Sequence, residues 1–186
     1  VSSGPAEEQF PDGKSVELVP ERPFLEYEKV IDPLFLAGAC GFPWESGGEL
    51  PSDCLLDFYM VDTLYPQFPG VWKEPVEVPA ETVLEGLEES FDGVAAGQIR
   101  QAAGYSPEKD TISFSYGVGS GCIYQITQVE EQGDRTLIHL TCLEGDSLDT
   151  PTKQVTIGMK DEKYLFCQVE ELVGDGAYQT VEQAMG

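Results

Sequence analysis

The apolar positions along this chain follow one spacing in its first half and another in its second. From Pro23 to Phe42 the chain turns apolar, and Asp32-Pro33 reads as an N-cap followed by proline at the first helical position. Leu34, Phe35, Leu36 and Ala37 then predict a short buried helix that stops near Gly38 or Gly41. Residues 41–50 read as a loop. Ser52 reads as the N-cap of a helix over Asp53–Leu64, whose apolar residues (Leu55, Leu56, Phe58, Tyr59, Met60, Val61, Leu64) run nearly all round, as in a buried helix. Pro66 is expected to end it, and residues 66–78 read as Pro-rich and extended. Pro79 opens a third predicted helix with a one-sided stripe of Val83, Leu84, Leu87 and Phe91. A short helix around Ala95–Ala103 follows.

After Tyr105 the spacing changes to two. Thr111–Ser115 predicts a strand. Gly121–Glu130 and Arg135–Leu143 flank Gln132-Gly133 as a hairpin, and Thr152–Met159 and Lys163–Glu170 flank Asp161-Glu162 as a second. Pairing Glu131 with Asp134 sets Ile126 opposite His139 and Tyr124 opposite Thr141. Pairing Lys160 with Lys163 sets Ile157 opposite Phe166 and Met159 opposite Tyr164. Alternation then puts Tyr124, Ile126, His139, Val155, Ile157, Met159, Tyr164 and Phe166 on one bulky face toward the helices. Cys142, Thr156, Gly158 and Cys167 fall on the other.

These elements predict an α+β fold: N-terminal helices packed on a C-terminal antiparallel meander of four to five strands. Residues 1–20 read as a flexible tether. Residues 21–186 read as one domain, helical over 21–104, sheet over 105–171, with a weakly patterned tail over 172–186.

Charge narrows the function classes. Thirty-four acids against 10 bases give a net charge of -24 on 186 residues, with one histidine. Nucleic acid and anionic membrane surfaces are bound through Lys and Arg, so neither is an expected partner. One histidine leaves little for imidazole acid–base catalysis or a His-rich metal site, and no cofactor or metal is expected. No apolar run approaches the roughly 20 residues of a membrane-spanning helix. The chain begins at Val1, and Ser2, Ser3, Gly4 and Pro5 followed by Glu7 and Glu8 read as a solvated tether of the kind that follows a cleaved signal peptide or a lipidated cysteine. The expected setting is therefore extracytoplasmic, secreted or lipid-anchored at the cell surface. The absence of asparagine excludes an N-glycosylation sequon.

Five cysteines, none in a C-x-x-C pair, exclude a zinc ribbon or a thioredoxin-like motif. Cys40 and Cys54 flank one loop, and a disulfide between them would contribute about 3 kcal/mol in an oxidising compartment. Cys142 and Cys167 would lie about 10 Å apart across two strand spacings, too far to bridge. Cys122 points to the opposite face. Gly117, Gly119 and Gly121 precede a strand where a dinucleotide fingerprint requires a helix, so they read as a loop. Glu144, Asp146 and Asp149 crowd one loop without EF-hand spacing and read as a solvated acidic turn. Phe42, Trp44, Phe68 and Trp72 read either as core residues closing the helix ends or as exposed aromatics that stack on sugars or partner proteins. His139 reads as a core histidine bonded to Tyr124 or a backbone carbonyl, or as a proton handle in a pocket.

Cys54 falls near the start of a predicted helix, where the dipole lowers a thiol pKa, and His139 follows on a strand. That order resembles the cell-wall cysteine peptidases of the NlpC/P60 type, which would make Cys54 the nucleophile and His139 the base. The chain departs from them: Leu55-Leu56 stand where those enzymes carry Ser-Gly, and no second histidine exists. The stretch VPAETVLEGLEESFDG, then QIRQAAGYSPEKDTISFS and two hairpins, resembles a module of lipoproteins of Gram-positive anaerobes, with Pro79, Phe91, Tyr105 and Pro107 as its marks. The order of helices before a meander is also similar to cone-shaped NTF2-like (cystatin-like) folds, which implies a pocket over the bulky face. The expectation is a non-catalytic domain that binds a small ligand or an envelope protein through Tyr124, His139, Tyr164 and Phe166. A cysteine hydrolase and a purely structural segment are the alternatives.

Overall fold

The computed structural model describes residues 7–9, 15–17, 23–69, 73–115, 123–142 and 153–172. Helix α1 spans Leu25–Leu36. It starts well before Asp32-Pro33, so that dipeptide lies in its last turns and not at its start. The reason is the buried stripe: Ile31, Leu34 and Phe35 face the core and carry the helix through a proline that propensity alone would place at its beginning. The predicted stop is correct and has a physical device. The Gly38 N–H donates to the Phe35 carbonyl at 3.0 Å and the Ala39 N–H to the Leu34 carbonyl at 3.1 Å, a Schellman cap with Gly38 at φ 78°.

Helix α2 covers Ser52–Tyr59, with Pro51 and not Ser52 at the cap position. A π turn over Met60–Leu64 and a short helix α3 over Tyr65–Gln67 continue the same rod, so Pro66 sits inside it. The wider turn, with the Tyr65 N–H on the Met60 carbonyl, is how the rod tolerates a residue that has no N–H of its own.

The stretch after Pro66 that reads as extended contains strand β3, Val76–Pro79, and helix α4 follows over Ala80–Ser90. The Ala80 N–H is capped by the Asp110 carbonyl at 2.9 Å. Ala80, Val83 and Leu87 of α4 and Phe91 after it are buried, as the stripe requires. A Cβ on Gly86 would stand 2.8 Å from the Tyr59 ring, so its absence sets how closely α4 approaches α2. The predicted helix at 95–103 is a single 3-10 turn, Ile99–Gln101, that buries Ile99.

Among the described residues three sheets form, all antiparallel. Strands β1 (Glu7–Gln9) and β2 (Ser15–Glu17) pair with each other inside the segment expected to be a featureless tether. Strands β4 (Tyr105–Ser106) and β5 (Thr111–Phe114) join β3 in the order β3-β5-β4. The expected first strand of the meander therefore belongs to a separate small sheet. The meander itself has four strands in chain order: β6 (Tyr124–Gln132), β7 (Arg135–Cys142), β8 (Lys153–Lys160) and β9 (Lys163–Glu171). The chain is α+β, as its two periodicities predict.

The second hairpin has the expected register: Lys160 pairs with Lys163, Met159 with Tyr164 and Ile157 with Phe166. The first does not. Gln132 pairs with Arg135, and a bulge at Thr127 moves Ile126 opposite Leu140 and Tyr124 opposite Cys142. One extra residue reverses the alternation, so Tyr124, Ile126, Ile138 and Leu140 share the helix side. His139, between Gln128 and Gln154 in register, points to the other side.

Most of the helix side is closely packed. Phe35 stacks on Tyr124 with ring centroids 4.7 Å apart, and Phe58 meets Phe166 edge-on at 5.6 Å. Tyr59, the next residue, stacks on Phe114 of the small sheet at 5.6 Å, so α2 ties both sheets together. Each such side chain contributes about 1.5–3 kcal/mol by burial. Trp44 is buried, donates its indole N–H to the Ala39 carbonyl at 2.7 Å, and pairs both main-chain groups with Val169 on the outer edge of β9. Phe42 packs partly buried against the same core, whereas Phe68 is 51% exposed and not a core residue. Trp72, Cys122, the three loop glycines Gly117, Gly119 and Gly121, the acidic turn Glu144, Asp146 and Asp149, and the tail beyond residue 172 lie outside the described residues.

Candidate functional site

Position along the chain and position in space separate the residues singled out above. Cys54 occupies the third residue of α2, where the dipole favours a thiolate. Burial opposes it, Asp57 and Asp53 add negative charge beside it, and the net effect raises the thiol pKa. His139 points from β7 away from the face on which the helices pack, so the meander stands between the two side chains. Its Nε2 is buried without a hydrogen-bond partner among the described residues, and the expected bond to Tyr124 is absent. The nucleophile–base pair of a cysteine hydrolase is therefore not formed. Cys40 and Cys54 are not disulfide-bonded.

Tyr124 is a clamp. Its hydroxyl lies on the Asp32 carboxylate and 3.1 Å from the Glu28 carbonyl, joining β6 to α1. Burial, then the Asp32 contact, pushes its phenol far above the ordinary value, so it remains a donor. With Phe35 stacked on its ring, Tyr124 closes the space where a pocket over the sheet was expected.

An opening lies at one corner of that face. A cleft of about 510 Å³ runs between α1, α2 with its π turn, α4 and the start of β9. Phe58, Tyr164 and Phe166 supply its aromatic surface, and Lys29, Asp62, Glu89 and Lys163 its charges. Of the four expected pocket residues, Tyr164 and Phe166 line this cleft, and Tyr124 and His139 do not. The Tyr164 hydroxyl is 3.4 Å from Glu26, and burial and that carboxylate raise its pKa. Lys163 reaches Glu89 at 3.0 Å. Asp62 is exposed at the rim yet crowded by the walls. That desolvation raises its pKa more than the Thr63 hydroxyl and Lys163 lower it.

No sequence pattern joins Lys29, Phe58, Asp62, Glu89 and Lys163 into one constellation, because four separate elements contribute them. The one local signal was Pro66 close behind an apolar helix carrying Asp62. The π turn ends two residues before Pro66, and such turns recur at functional sites.

Among the described residues, no group of three or more His, Cys, Asp or Glu side chains is placed to hold a metal ion. No helix among them is long and apolar enough to cross a membrane. Comparison with protein-family models, curated proteins and solved structures gives no match.

Proposed function

We propose that this chain is a non-catalytic binding domain and that the cleft bounded by Phe58, Tyr164 and Phe166 is its binding site. The observation that carries this reading is the cleft itself. It is concave, walled by aromatic side chains, edged by a few charges, and of the volume that small-molecule sites have. The separation of Cys54 from His139 and the raised Cys54 pKa favour binding over hydrolysis. A small ligand suits the concavity better than a protein surface does. The resemblance of the element order to anaerobe lipoprotein modules supports an extracytoplasmic, tethered setting as part of the same proposal, and the order of helices before meander keeps the likeness to NTF2-like folds within it.

Amide shift mapping with a set of small aromatic and aliphatic fragments tests the reading. Perturbed amides are expected to cluster on α1, α4 and the start of β9. Ser90→Phe, which fills the cleft from α4, is expected to abolish them while the fold persists. Perturbations that survive this plug, or that map elsewhere, reject the cleft as the site.

A further inference from the structure

Resting on the cleft as a binding site, the chemistry of its walls narrows the ligand. We infer that it takes a small zwitterion carrying an aromatic or branched apolar group, of which a free α-amino acid is the simplest form.

Three observations converge. The cleft carries both signs of charge, but not evenly satisfied. Lys163 and Glu89 are bonded to each other at 3.0 Å. Lys29 and Asp62 have no ion pair among the described residues; Asp62 has a long hydrogen bond of 3.4 Å from the Thr63 hydroxyl and feels the charge of Lys163, which is itself bonded to Glu89. A free cation, Lys29, and an anion, Asp62, that shares the charge of Lys163 with Glu89 border the same space, the arrangement a ligand with both charges completes.

The second observation is the π turn. It carries Asp62 and Thr63, and with Gln67 of α3 they line the cleft. The wall that carries the Asp62 carboxylate thus also presents the Thr63 hydroxyl and the Gln67 side-chain amide, acceptors that suit a ligand ammonium group.

The third is the net charge of -24. It repels a simple organic anion, and it draws a simple cation to acids all over the surface without selecting this cleft. A neutral zwitterion escapes both effects. Lys29, one of only 10 bases, then faces its carboxylate, while Phe58 and Phe166 receive its side group.

The test uses the intact chain and three probes of one shape: L-phenylalanine, phenethylamine and 3-phenylpropionate, each titrated by amide shift mapping. Phenylalanine is expected to perturb the cleft, with each analogue at least tenfold weaker. Lys29→Met is expected to erase the preference over phenethylamine, and Asp62→Asn that over 3-phenylpropionate. Both positions are exposed, so both variants are expected to fold. An analogue that binds the cleft as well as phenylalanine overturns the zwitterion while the cleft stands. Silence from all three probes, with fragment binding still blocked by Ser90→Phe, does the same. Silence from probes and fragments alike overturns both.

Discussion

Two single residues show where this fold departs from backbone preference. Gly38 caps α1 at φ 78° with nothing within 4 Å of where a Cβ would stand, so its role is conformational and not steric. Gly38→Ala is expected to cost about 1 kcal/mol in urea unfolding, with an unchanged m-value. The turn between β8 and β9 is the reverse case. Asp161 and Glu162 both have positive φ, 51° and 65°, in a two-residue hairpin where glycine is favoured at the second position. Glu162→Gly is expected to stabilise by about 1 kcal/mol, read as a higher urea midpoint. Asp57 tests electrostatics at the same scale. Burial, then Asp53, raises its carboxyl pKa in the folded state. The folded chain therefore holds that proton more tightly than the unfolded one, and this site adds stability as pH falls from its raised value toward the ordinary value of about 4. Asp57→Asn is expected to raise the thermal midpoint at pH 7, and the gain should vanish below pH 4. An unchanged midpoint at pH 7 would refute the shift.

At the scale of elements, alternation is powerful and fragile. The Lys163–Glu170 strand and its partner were legible from the turn to the Ile157–Phe166 pair because their turn residues set the register at the tip; beyond it a bulge at Cys167 shifts the pairing. The first hairpin was not, because its bulge at Thr127 lies inside the strand and has no turn signature. The consequence is testable. Removing Thr127 leaves Ile126 opposite Leu140 and Gln128 opposite His139, now as ordinary neighbours. The deletion variant is expected to keep its cross-strand contacts between Ile126 and Leu140 in NMR and to unfold cooperatively. Loss of the folded state would show that the bulge itself, with the Thr127 hydroxyl on the His139 carbonyl at 3.3 Å, is needed. The helices teach a similar lesson. Pro33 and Pro66 both read as boundaries, and both lie inside rods, because buried Leu34 and Leu64 beside them hold the chain helical.

At the scale of the molecule, 34 acids on one chain mean self-repulsion that packing must overcome. Ion pairs offset little of it. Lys109–Glu77 and Lys163–Glu89 are largely exposed, and such pairs contribute about 0–1 kcal/mol each. Raising ionic strength from about 0.01 M to about 0.15 M shortens the screening length from about 30 Å to about 8 Å. The thermal midpoint is expected to rise with it, and a fall would mean that attractive pairs outweigh the global repulsion.

The two periods along the chain, 3.6 before Tyr105 and 2 after it, were sufficient to predict an α+β molecule, the stripe of α4 and the four strands of the meander, because those are properties of neighbours in sequence. The pairing of β3 with β5, the side to which His139 points and the meeting of Lys29, Phe58, Asp62 and Tyr164 around one cleft were decided in three dimensions. Strand partners and clefts arise between segments tens of residues apart, and one unpaired residue in a strand reverses every face beyond it.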